Sequence, residues 1–234
     1  MQLLLSDADN TLWDTNSVYA NAQIRLLEDV ESYVGKPFPP RDRLGFVRAI
    51  DQSIAAKHSS GLRYPPILLT TALLRSALCE PRDELDAEQN EAARQFEREL
   101  IHRVRNGIPE LRDEVSQGLD ELNAAGTRII VFTEGEEARC RFLLEHHQLS
   151  RFVSEIKSAR KTAEHYVEMA RSEYDSLFMV GDQLDVDIAM AKAAGFNTIY
   201  FPSGFAPEWI GDLKNVADFT INSFREVAII MKRL

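Results

Sequence analysis

The chain opens on a three-residue apolar run, Leu3-Leu4-Leu5, that breaks at Ser6-Asp7-Ala8-Asp9-Asn10-Thr11. No second strand-like segment follows before Arg128-Ile129-Ile130-Val131-Phe132. A short apolar run that ends in turn residues reads as a buried strand, and a strand needs partners. Its nearest candidate partners lie more than a hundred positions away. The intervening block must therefore fold on its own, because a compact domain does not hold a structureless insertion of that length.

The block reads as helices. Val18, Ala22, Leu26, Val30 and Tyr33 recur at steps of three and four, and Gly35 with Pro37 stops that face. Pro39-Pro40 and Pro65-Pro66 mark loops around a helix from Leu44 to Lys57. Ile67 to Leu78 gives another, closed by Pro81, and Ala93, Phe96, Leu100 and Val104 a fourth, ending at Asn106-Gly107. The pattern then changes. Leu111, Val115, Leu119 and Leu122 predict a helix capped by Gly126, and strand 128–132 follows it. Helix 136–147, a strand near Phe152–Ile156, helix 162–172, strand Leu177–Val180, helix 185–194 and strand Thr198–Phe201 continue the series. An edge strand at Ala217–Ile221 and a helix at Ser223–Leu234 close it. Alternation of this kind predicts a parallel sheet covered by helices on both faces. The expected architecture is α/β: a Rossmann-like core of residues 1–13 and 108–234, with an inserted all-helical cap at 14–107.

Charge narrows the partners. The 234 residues carry 27 basic and 37 acidic side chains, a net −10. Nucleic-acid binding rests on basic residues that displace counterions from phosphates, and this chain lacks such an excess. Anionic membrane surfaces are disfavoured for the same reason. Cys79 and Cys140 belong to no metal-binding spacing and suggest a reducing compartment. The N-terminal apolar run is too short and too acidic in its surroundings for a targeting signal, so a cytoplasmic location is expected.

Polar residues gather at four predicted strand ends: Asp7 and Asp9, Thr133, Lys161, and Asp182 with Asp185 and Asp187. An open parallel sheet binds its ligands beyond those ends. Carboxylates that meet at one point repel one another unless a cation neutralises them, and hard oxygen donors favour Mg²⁺. A hydroxyl and an ammonium beside that cation suit a phosphoryl group.

In this order the segments resemble the four motifs of the haloacid dehalogenase superfamily. Leu3-Leu4-Leu5-Ser6-Asp7-Ala8-Asp9-Asn10-Thr11 is similar to a strand ending in DxDx[TV]. Ile130-Val131-Phe132-Thr133-Glu134-Gly135 resembles the second motif, and Lys161-Thr162-Ala163-Glu164 the third. Phe178-Met179-Val180-Gly181-Asp182 through Asp187 resembles GDxxxxD, followed by Ala193-Ala194-Gly195. The helical block corresponds to a C1-type cap. The resemblance implies a Mg²⁺-dependent phosphatase that forms an aspartyl-phosphate on a small phosphorylated metabolite. It makes Asp7 the nucleophile and Asp9 the general acid and base. Thr133, backbone groups around Glu134, and Lys161 would bind phosphate. Asp7, the Asp9 carbonyl, Asp182 and Asp187 would hold the metal. Trp13 and Arg63 are candidate substrate contacts.

Simpler roles compete at several positions. Thr133 with Glu136 could form a helix capping box, Asp185 could be a helix N-cap or a third ligand, and Lys157 and Arg160 stand close to Lys161. Glu134 departs from the neutral residue of many relatives; its charge either lies beside the phosphate or points away. His146, His147 and His165 are expected on exposed helix faces. A dehalogenase, a phosphomutase and a partner-binding relative are the rival functions.

Overall fold

A computed structural model describes residues 1–37, 41–59, 61–78, 84–170, 173–205 and 216–234. It divides into two compact units. One holds residues 1–16 with 109–205 and 216–234, the other residues 17–108. Pro39-Pro40, Ser60, Cys79 and Pro81 lie outside the described residues.

The first unit is built on one sheet. Strands β1 (Gln2–Ser6), β2 (Arg128–Thr133), β3 (Glu155–Ser158), β4 (Ser176–Gly181), β5 (Asn197–Tyr200) and β6 (Phe219–Thr220) run parallel in the order β3-β2-β1-β4-β5-β6. β1 sits between β2 and β4, with Leu4 opposite Ile129 on one side and Phe178 on the other. Successive side chains point to opposite faces. Leu4, Val131, Phe178 and Val180 therefore join one apolar core, and Leu3, Leu5, Ile130, Phe132 and Met179 the other. Both faces are covered, which is why these strands read as unbroken apolar runs rather than alternating ones. Each leucine of β1 is fully buried, a contribution of about 1.5–3 kcal/mol apiece.

Helices α5 (Val115–Ala124), α6 (Glu137–His146), α7 (Ala163–Met169), α8 (Met190–Ala193) and α9 (Arg225–Met231) follow or connect the later strands. Gly118 lets α5 approach α9; a Cβ there would meet Phe224 at 2.8 Å. Three segments differ from expectation. Leu111 bridges to Trp13 instead of joining α5, because Glu114 takes a left-handed turn (φ 53°) that starts the helix at Val115. Phe152 lies in a 3-10 turn, so β3 starts only at Glu155. The helix expected at 185–194 opens with a π-helical turn over Leu184–Ala189.

The second unit is helical. It comprises α1 (Thr15–Val34, whose first two residues belong to the first unit), α2 (Arg43–Lys57), a 3-10 turn at Gly61–Arg63, α3 (Ile67–Leu78) and α4 (Ala87–Asn106). Leu26, Leu27, Val30, Leu73, Leu74 and Leu100 are among the residues of its separate core. Tyr33, expected on the buried face of α1, stands 40% exposed, whereas Leu27, outside the expected stripe, is fully buried. An Asp86 capping box starts α4.

Candidate active site

β1 is the point where the strand order reverses. Its two neighbours are reached by connections of opposite sense, which leaves a crevice beyond its carboxyl end. Asp7 lies there, 5% exposed, its N–H donating to Val180 O at 2.9 Å. The following turn folds back, with Leu12 N–H donating to Ala8 O at 2.8 Å and Asn10 in the left-handed region (φ 58°). That turn carries Thr11 round to donate to Asp7 Oδ2 at 2.9 Å. It also carries Trp13 and Thr15 to Asp9. The Trp13 Nε1–H and the Thr15 hydroxyl both donate to Asp9 Oδ1, at 3.0 and 2.7 Å.

Lys161 precedes Thr162, the N-cap of α7. Its ammonium donates to Asp7 Oδ1 and, at 2.5 Å, to Asp187 Oδ1. Burial works against its charge, but Asp187 and Asp7 outweigh that and hold it protonated. Lys157 lies within β3, paired with Phe132, and Arg160 is exposed, so Lys161 is the lysine of this site. The π-helical turn presents Asp187 inward, fully buried, where Gln183 N–H donates to its Oδ2 at 3.0 Å. Gly181 is required for this approach, since a Cβ would stand 2.4 Å from Asp187 Oδ2.

Asp7, Asp182 and Asp187 offer carboxylate oxygens that all lie within 4.8 Å of one another. Three carboxylates share one ammonium, so the cluster is two positive charges short when all are ionised. Asp182 Oδ1 is buried with no hydrogen-bond partner. Burial pushes Asp182 well above the carboxylate range, Asp7 and Asp187 push it further, and the Ser203 hydroxyl pulls it back. A divalent cation is the group these residues fit. Asp185 also has a buried, unpartnered Oδ1 but stands outside the triad. It lies inside the π-helical turn, so it is not an N-cap.

Thr133 ends β2, 2% exposed, and its Oγ1 accepts from Gly135 N–H at 2.9 Å. The capping box with Glu136 does not form; α6 starts without a side-chain cap. A Cβ on Gly135 would stand 3.2 Å from both Asp9 Oδ2 and Thr133 Oγ1, so glycine keeps open the space between them. Glu134 Oε1 accepts the Lys161 backbone N–H at 2.7 Å. That bond ties the second motif to the third.

The two candidate substrate contacts lie in different units. Trp13 is 1% exposed, and its indole N–H bonds Asp9. Arg63 is an exposed residue of the helical unit, next to buried Tyr64, whose hydroxyl donates to Asp51. His147 is half-buried rather than exposed; its Nε2 pairs with Pro109 O at 2.9 Å, and burial lowers its pKa. Thr11 and Gly135 stand in the first two motifs, but only the structure shows what they do there; Thr15 and Arg112 support the site without any motif to announce them.

A family description, haloacid dehalogenase-like hydrolase, matches residues 1–195. The chain belongs to that family. No protein of curated function matches it significantly. Among solved structures of the family's fold, YfnB of Bacillus subtilis, a proposed HAD-hydrolase solved with magnesium bound, superposes with a TM-score of 0.68 at 19% identity, covering 99% of this chain and 98% of that one. A predicted phosphoglycolate phosphatase from Haemophilus somnus gives 0.64 at 17% identity, over 98% and 97%. A proposed β-phosphoglucomutase from Thermotoga maritima gives 0.64 at 18% identity, over the full length of both. The haloacid dehalogenase-like fold thus serves several chemistries, and the site residues must distinguish them.

Proposed function

We propose that the chain is a Mg²⁺-dependent phosphatase that hydrolyses small phosphomonoesters through an aspartyl-phosphate. One observation carries this reading: a second carboxylate, Asp9, stands beside an acidic triad that lacks two positive charges. A halide leaves without a proton, so a dehalogenase needs neither feature. An alkoxide leaving group needs both charge neutralisation and a proton.

Asp7, Asp182 and Asp187, with the Asp9 carbonyl, would hold Mg²⁺, which supplies charge neutralisation to the phosphate and to these carboxylates. Thr133, backbone N–H groups of the Glu134–Gly135 turn, and Lys161 bind the phosphate oxygens. Asp7 attacks phosphorus while Asp9 gives its proton to the leaving oxygen, so that the P–O ester bond breaks as the aspartyl P–O bond forms. Asp9, now a carboxylate, takes a proton from water as that water attacks the acyl phosphate. Asp7 is restored and inorganic phosphate leaves. The net charge of −10 disfavours polyanionic partners, which supports a small phosphorylated metabolite. None of the described helices is long and apolar enough to cross a membrane. A cytoplasmic location remains part of this proposal.

The test is phosphate release from a panel of sugar phosphates, nucleotides and short phosphoacids, with Mg²⁺ or with chelator. Metal-dependent turnover that disappears in Asp7→Asn is the expected result. Phosphate moving between positions of one sugar, with none released, would identify a mutase instead.

A further inference from the structure

Arg112 belongs to no motif of the sequence and has no role in the chemistry above. It stands in the segment between Leu111 and the left-handed turn at Glu114. Its guanidinium donates to three main-chain carbonyls. Nη1 reaches Asn10 O at 2.5 Å and Phe201 O at 3.0 Å, and Nη2 reaches Pro202 O at 2.6 Å. Its Cζ lies 3.4 Å from the centroid of the Phe201 ring, and its backbone N–H donates to Leu12 O at 3.0 Å.

These partners come from two separate loops: the Asn10 turn carries Asp7 and Asp9, and the loop after β5 lies beside Asp182 and supplies it with the Ser203 hydroxyl. Asn10 follows Asp9 in the turn that holds Asp7 and Asp9. Phe201 N–H donates to Gly181 O at 2.9 Å, and Gly181 immediately precedes Asp182. One planar cation therefore ties the turn after Asp9 to the loop after β5, and that loop is hydrogen-bonded in turn to the residue before Asp182. Neutral carbonyls leave its charge uncancelled, and Asp182 is the carboxylate that acts on it most strongly. A planar fork that also stacks on a ring is a task for arginine; a lysine ammonium cannot make the stack and reach three diverging carbonyls.

We propose that Arg112 is a positioning residue for the divalent-cation site, fixing the spacing between the Asp7–Asp9 loop and Asp182. The proposal rests on the metal-dependent reading above. Its test is calorimetric titration of Mg²⁺ into metal-free, substrate-free protein, for wild type, Arg112→Lys, Arg112→Gln and Gly118→Ala. Gly118→Ala serves as a strain control: it presses on Phe224, which packs against Phe201, but leaves the Arg112 guanidinium and its three carbonyl acceptors in place. The expected result is an Mg²⁺ Kd weakened about 10- to 100-fold in Arg112→Gln, by less in Arg112→Lys, and unchanged in Gly118→Ala. At saturating Mg²⁺, kcat in the Arg112 variants should recover toward wild type, because Arg112 touches no reacting atom. If Arg112→Gln does not fold, Arg112→Lys carries the comparison. Arg112 variants that bind Mg²⁺ within about twofold of wild type would overturn the proposal alone. So would a Gly118→Ala variant weakened as much as they are. A wild type that binds no Mg²⁺ would overturn the metal-dependent reading and this proposal with it.

Discussion

Asp9 is restrained by donors from its own turn, and Trp13 supplies one of them from a fully packed position. Trp13→Phe keeps the packing and removes the N–H. A hydrogen bond to a carboxylate is worth about 1.5–3 kcal/mol, so kcat should fall by at least roughly tenfold while KM stays nearly unchanged. A shift confined to KM would instead make Trp13 a substrate contact. Asp7 carries a pH signature. In the cation-free protein its carboxyl is pushed up to about 7, chiefly by burial; Lys161 opposes this, while Asp187 and Asp9 add to it. A folded value above the ordinary 3.8 means the folded protein binds that proton more tightly than the unfolded chain. Stability from this group is therefore present at low pH and lost as pH rises through about 7. In chelator, Tm should fall more steeply across that window in wild type than in Asp7→Asn. Equal slopes would count against the raised pKa of Asp7.

At the scale of elements, two glycines make opposite predictions from the same physics. An added Cβ at Gly118 presses on Phe224, and one at Gly181 presses on Asp187. Overpacking of this kind costs about 1–3 kcal/mol. Gly118→Ala should lower Tm and leave turnover intact. Gly181→Ala should lower Tm and also abolish the response to Mg²⁺, because it displaces a carboxylate of the triad. Thermal melts with and without the metal separate the two. The π-helical turn is the element that makes Gly181 indispensable, since its wider coil brings Asp187 back over the end of β4. The sequence showed the GDxxxxD pattern there, but its apolar spacing fits a simple α-helix, and hydrogen-bond register within a turn leaves no trace in composition.

For the whole molecule, the cation acts as a ligand of the folded state. Saturation at about a hundred times Kd stabilises by about 2.7 kcal/mol, a rise in Tm of about 5–11 °C for a chain of this size. Differential scanning calorimetry should show that rise in wild type and not in Asp182→Asn. An equal rise in both would place the cation elsewhere. Chain separation explains the organisation of the molecule. Asp7 and Lys161 are 154 positions apart, yet they meet because β1 pairs with β2 and β2 with β3 in parallel, so that the loops after β1 and β3 open on one edge.

The sequence by itself determined the parallel α/β core, the helical block inserted after its first strand, and Asp7, Asp9, Thr133 and Asp182 as one group, to be joined by a lysine near 161 and a further aspartate after Asp182. Those features are local: apolar runs, turn residues and motif spacing state them without reference to anything distant. Tertiary structure alone decided that Lys161 rather than Lys157 faces Asp7, that Asp187 rather than Asp185 completes the triad, and that Glu134 ties two loops together. It alone brought Trp13 to Asp9, and it alone brought Arg112 to three carbonyls. Those outcomes depend on which side chains and peptides are brought within a few ångströms by strand pairing, and a one-dimensional pattern carries no such distances.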